Sequence, residues 1–254
     1  MRLSIGLAIL GSLLLLATAA AVAAEPTVEE IIAKSDDLMR GDTSFSELTM
    51  KIVTPHFERE VRMKAWTQGR DKAFIQVLAP AKDAGVTFLK LGREMWNYLP
   101  NVERTVKIPP SMMSQSWMGS DFSNNDLARS DTMIVDYTHR IAGEENVGGD
   151  LCWKIESTAK PDAPVVHDRI VSWVAKGTYV VRRAQYFDED NRVAREMTVD
   201  QIVAVGGRKI GSHMVMTNAK KPGNKTEMWF AKMQFDLKIP PDTFTQRNLT
   251  RGVR

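Results

Sequence analysis

The chain contains a single cysteine, Cys152, which excludes an intramolecular disulfide and any cysteine-based metal cluster. Set in LCWKIE, it reads as a small core residue. The four histidines, His56, His139, His167 and His213, are scattered, and none has the paired spacing of a zinc motif. There is no G-x-S-x-G elbow, and no glycine-rich phosphate loop follows a strand and opens a helix. The acidic run Asp188-Glu189-Asp190-Asn191 lacks calcium-ligand spacing and reads as a polar hairpin tip. Ser120-Asp121 fits a cap or turn better than a nucleophile and its orienter. A net charge of +3 gives no polybasic footprint for nucleic acid. What remains is a protein that is not an enzyme, with no cofactor, no metal and no nucleic-acid partner.

Residues 3–24, LSIGLAILGSLLLLATAAAVAA, follow Arg2 and end in small residues before Glu25-Pro26, the pattern of a cleavable signal peptide. No cysteine stands at that junction, so the mature chain is not N-terminally lipidated. Residues 25–254 fit one domain with a single core or cavity. Methionine is abundant, at 14, and methionine serves both as core filler and as a surface for varied apolar partners.

The mature chain opens with an amphipathic helix. Thr27 and Glu30 form a capping box, while Val28, Ile31, Ile32, Leu38 and Met39 recur on one face up to a stop at Gly41. From Ser44 onward alternating runs are separated by recurrent turn signals, as at Gly148-Gly149, Gly206-Gly207 and Pro222-Gly223-Asn224. Consecutive strands joined by short turns predict an antiparallel meander. The fold class is mainly β (α+β): a curved antiparallel sheet of about eleven strands closing round the helix. The tail is expected to leave the sheet at Pro240-Pro241.

One stretch, Gly92 to Arg129, departs from this rhythm. Glu94 to Leu99 alternates, with Trp96 and Tyr98 on one face. Arg104 to Ile108 alternates again, and Pro109-Pro110 ends the ladder. Met112, Met113, Trp117, Met118 and Phe122 then fall without helical or strand period among Ser, Gln, Gly and Asp. A long loop inside a β-rich chain is most often a lid, a binding loop or a disordered linker, and this apolar load argues against the linker. Ser123 can cap a short helix with Asp126 in its first turn.

SWMGSDFSNNDL, after a strand ending WNYLP and a Pro-Pro break, resembles the signature of the periplasmic outer-membrane lipoprotein-sorting proteins, relatives of the carrier LolA. The resemblance implies an open half-barrel around an apolar cavity, closed by helices, that holds lipid acyl chains. It implies a periplasmic monomer that moves lipid or lipoprotein acyl chains between an inner-membrane transporter and an outer-membrane acceptor. In such carriers an arginine on an early strand latches the lid, and Arg70 is the nearest match. The expected cavity wall is then Val28, Ile31, Ile32, Leu38, Met39, Trp96 and Tyr98. The expected lid is Met112, Met113, Trp117, Met118 and Phe122. The alternative is an accessory subunit that docks on an envelope transporter or assembly machine through the same apolar loop.

Overall fold

A computed structural model describes residues 25–128 and 132–253; the expected signal peptide, residues 1–24, lies outside them. Helix α1, Val28–Leu38, starts at the capping box read from the sequence: Thr27 N–H donates to Glu30 at 3.1 Å, and Glu30 N–H donates to Thr27 Oγ1 at 3.2 Å. Gly41, at φ +58°, turns the chain off the helix, and a Cβ there would meet Asp236 at 2.7 Å. The turn therefore needs glycine.

One antiparallel sheet follows. Its first half is β1 (Thr43–Val53), β2 (Glu58–Gln68), β3 (Lys72–Ala79), β4 (Thr87–Leu91), β5 (Glu94–Leu99) and β6 (Arg104–Lys107). Two short helices come next, α2 (Asn124–Ala128) and α3 (Thr132–Val135). The second half is β7 (Tyr137–Val147), β8 (Asp150–Ala159), β9 (Arg169–Ala175), β10 (Val181–Phe187), β11 (Val193–Val205), β12 (Arg208–Asn218) and β13 (Lys225–Phe235). The described residues form thirteen strands, not about eleven. Met133–Val135 fall in the helical turn α3.

The order β6-β5-β4-β3-β2-β1-β13-β12-β11-β10-β9-β8-β7 is two meanders joined where β1 pairs with β13. The sheet is not closed into a barrel. Strands β6 and β7, consecutive in sequence, are its two opposite edges. The segment between them must therefore cross from one edge to the other, and that connection makes residues 108–128 and 132–136 a strap over the inner face.

Strand alternation divides the side chains between two faces. The inner face of the first half carries Met50, Ile52, Val61, Met63, Val77, Phe88 and Met95, which pack with Trp117 and Phe122 of the strap. On the second half, Ile31 and Ile32 of α1 cover Trp153, Ile155 and Val174. The outer face of the first half is also covered. Phe74 and Leu89 pack against Phe244 and against Leu249 of helix α4, Gln246–Arg251. Strand β13 ends at Phe235, already before Pro240-Pro241, and the tail then folds back onto the outer face, where Thr87 Oγ1 donates to the Leu249 carbonyl at 2.7 Å.

Candidate functional site

Helix and strap roof different halves of the inner face, and space remains between them. A lobe of about 380 Å³ lies under the strap, lined by Phe122, Leu127, Met216 and Met228 among others. A lobe of about 250 Å³ lies under α1, lined by Ile32, Met39, Val174, Val181, Ala184 and Met197. The two share Arg40, Met133, Ile170 and Tyr186, so they adjoin. The larger is within the roughly 300–1,000 Å³ usual for ligand sites. The smaller holds one buried polar group without a partner, the Ser172 hydroxyl.

The strap is pinned by a polar cluster of which the sequence shows only the Ser123–Asp126 cap. Ser123 and Asp126 cap α2 reciprocally: Ser123 N–H donates to the Asp126 carboxylate at 2.7 Å, and Asp126 N–H donates to Ser123 Oγ at 3.2 Å. That cap presents the Asp126 carboxylate to Arg195 of β11, which donates to Oδ2 at 2.8 Å and to Oδ1 at 3.3 Å. Arg195 also donates to the Asp121 carbonyl at 3.1 Å, lies 3.0 Å from His167 Nε2 and stacks 4.9 Å from the Tyr186 ring centre. Thr226, fully buried on β13, receives the Asp121 N–H and donates to the Asp121 carboxylate, each at 2.9 Å. Arg59 of β2 holds the Met118 carbonyl at 3.2 Å and Asp83 at 2.7 Å.

The electrostatics follow from this packing. Burial pushes the Asp126 carboxyl up, yet Arg195 and the Ser123 bonds outweigh it and hold the group below the usual carboxylate range. Burial works against the Arg195 charge, and Asp126 more than restores it. Burial, with Arg195 alongside, lowers the pKa of His167. Burial raises the Tyr186 phenol to about 12, with Asp126 adding to the rise.

The residues expected from sequence are distributed unevenly. Ile32 and Met39 line the smaller lobe and Phe122 the larger. Val28 and Ile31 anchor α1 to the sheet, and Leu38 is half-buried. Met113, Trp117 and Met118 pack on the first half of the inner face, with the Trp117 ring 5.4 Å from that of Phe88. Met112 is exposed. Trp96 and Tyr98 are not on the cavity side. Alternation in β5 sends Met95 inward, and these two pack on the outer cluster beneath the C-terminal tail. Arg70 donates to Asp36 and Asp37 of α1, each at 2.8 Å, and so clamps the helix. Among the described residues no cluster of His, Cys, Asp and Glu could hold a metal ion. None of their helices is long and apolar enough to cross a membrane.

An open sheet roofed on its inner face by a helix and an edge-to-edge strap is a LolA-like half-barrel. A crystal structure of a DUF1329 family protein from Desulfovibrio piger superposes with a TM-score of 0.79 at 25% identity, covering 87% of this chain and 97% of its own. An outer-membrane lipoprotein-sorting protein domain, so described, from Vibrio parahaemolyticus gives 0.77 at 20%, covering 88% and 98%. A LolA superfamily protein from Nitrosomonas europaea gives 0.74 at 20%, covering 88% and 99%. A family model described as "uncharacterized protein" matches residues 69–251, and no curated protein matches. The chain belongs to the family that this model describes, and its fold is LolA-like.

Proposed function

We propose that this protein is a non-enzymatic periplasmic carrier that binds lipid or lipoprotein acyl chains between helix and strap and moves them between envelope membranes. The observation that carries this reading is the two-lobed cavity whose roof is held to the sheet by a small polar cluster. Each buried methylene contributes about 0.8 kcal/mol, so a ~16-carbon chain gains roughly 12 kcal/mol gross. A carrier that kept all of this would not unload. The strap supplies a competing state, because Trp117 and Phe122 bury themselves on the surface that cargo would take.

The test is binding. Delipidated mature protein should take up a hydrophobic fluorescent probe saturably and release it to fatty acid or lysolipid. Native mass spectrometry of protein purified from its own periplasm should show co-purifying lipid. A folded protein that binds no probe and carries no lipid, but copurifies with a membrane complex, would replace the carrier with the accessory subunit.

A further inference from the structure

We infer that the amphiphile carried has an anionic head group, held at the cavity mouth by Arg195, Lys220 and Lys221. The inference rests on the carrier reading above and adds the class of cargo. A third chamber, of about 260 Å³, lies against the larger lobe and shares with it Phe122, Val166, His167 and Arg195. The two differ in chemistry. The lobe continues onto Ile170, Met216 and Met228, whereas the chamber continues onto Ser114, Ser116, Asn218, Lys220 and Lys221. An apolar compartment and a polar, cationic one thus meet at a common wall, which is the outline of an amphiphile.

The charge of the chamber favours an anion. Its cations are Arg195, Lys220 and Lys221, and its carboxylate is Asp121. That carboxylate is turned into the sheet, where it accepts from Thr226 Oγ1. Both lysines stand exposed on the turn between β12 and β13, and Lys220 is 3.6 Å from Asp188. Arg195 is the built part of the site. Its side chain is only 9% exposed, and its Nε–H has no acceptor, so the guanidinium has donor capacity beyond its present partners. Guanidinium binds a phosphate or carboxylate through two parallel N–H donors, the mode it now uses toward Asp126. An incoming anion and Asp126 therefore compete for the same donors. Head-group capture would release Asp126 and with it the strap, so that recognition and opening become one event.

Inorganic phosphate carries the same chemistry as a phospholipid head, and the experiment separates the two. Delipidated mature protein loaded with a fluorescent probe is titrated with lysophosphatidic acid, with monoacylglycerol of equal chain length, and with inorganic phosphate. Lysophosphatidic acid should bind about tenfold tighter than monoacylglycerol, with the gap narrowing as salt rises. The doubly substituted Lys220→Gln, Lys221→Gln protein should bring lysophosphatidic acid down to the monoacylglycerol level. Phosphate alone should displace no probe. Equal affinities for the two lipids in the unsubstituted protein would overturn the head-group inference and leave the carrier reading standing. Displacement by neither lipid would overturn both, and displacement by phosphate alone would assign the chamber to a free anion instead.

Discussion

Arg195 of β11 and Asp126 of α2 stand 2.8 Å apart, although 69 residues separate them in sequence. That contact ties the edge-to-edge strap to the sheet it crosses. A hydrogen bond to a charged group contributes about 1.5–3 kcal/mol. Asp126→Asn should lower stability by an amount in that range and speed amide exchange across 111–127, while exchange in β1 and β13 stays slow. Uniform acceleration over the whole sheet would show that the pair holds the fold and not the strap alone.

His167 gives the latch a pH dependence. It faces Arg195, Asp126 and Lys220, and burial with the Arg195 charge lowers its pKa from 6.5. The unfolded chain binds the proton first, so stability is full above about pH 6.5 and falls as pH drops below it. His139, lowered by burial where it bonds Ser157 and the Met133 carbonyl, acts in the same direction. Asp126, lowered from 3.8, adds its loss only in stronger acid. Urea midpoints at pH 7.5 and 5.5 should therefore differ, and His167→Gln should shrink the difference. A midpoint that rises toward pH 5.5 has the wrong sign for buried neutral histidines.

How much of this was legible beforehand depends on distance along the chain. The capping box of α1 and the strand alternation are local, and both stand in Thr27-Val28-Glu29-Glu30 and in runs such as Leu48, Met50 and Ile52. The β1–β13 pairing is set by long-range burial, which no turn signal announces. Arg195 is one of 34 lysines and arginines, in a strand whose inner-facing parity depends on register, so it could not be singled out. Asp126 could have been: a capping acid next to an apolar, aperiodic loop already asks for a cation. Alternation puts Trp96 and Tyr98 on one face of β5, but which face meets the cavity depends on the second apolar cover that the C-terminal tail provides. The Arg70 clamp on Asp36 and Asp37, in the last turn of α1, joins residues more than thirty positions apart, which no local pattern announces.

The tail is structural, and its removal should say so. Leu249 is fully buried and Phe244 nearly so, both against Phe74 and Leu89. Leu249→Ala should cost about 2–5 kcal/mol, the usual range for such a truncation, with probe binding by the surviving folded fraction unaltered. Denaturant melts that superimpose on those of the unsubstituted protein would show the outer cover to be dispensable.

Trp117 is 2% exposed, its ring meets Phe88, and its backbone N–H donates to the Phe122 carbonyl at 2.7 Å. Truncation to alanine should cost about 3–5 kcal/mol if the closed strap and the sheet unfold together. The same change weakens the state that competes with cargo, so acyl binding by the folded protein should tighten while release slows. Weaker binding would make Trp117 part of the cargo wall rather than of its competitor.

Ala184 of β10 is buried, with 4% of its surface exposed, and it faces the smaller lobe beside Ile32 and Met197. The lobe is unfilled space there, so Ala184→Leu adds methylenes without pushing the helix away. It should leave the melting temperature unchanged or slightly raised, because filling a void restores lost contacts. A cargo chain displaced by about two methylenes loses roughly 0.8 kcal/mol for each, which amounts to about a tenfold weaker Kd. Shorter chains, which need not reach the lobe, should be affected less than longer ones. Chain-length dependence is the discriminating readout. A substitution that merely disturbs the fold would weaken all chains alike, whereas one that shortens the cavity shifts the preferred length downward. If a series of fatty acids titrated against both proteins shows parallel affinities, acyl chains do not enter the space under α1, and the cavity available to cargo is confined to the lobe under the strap.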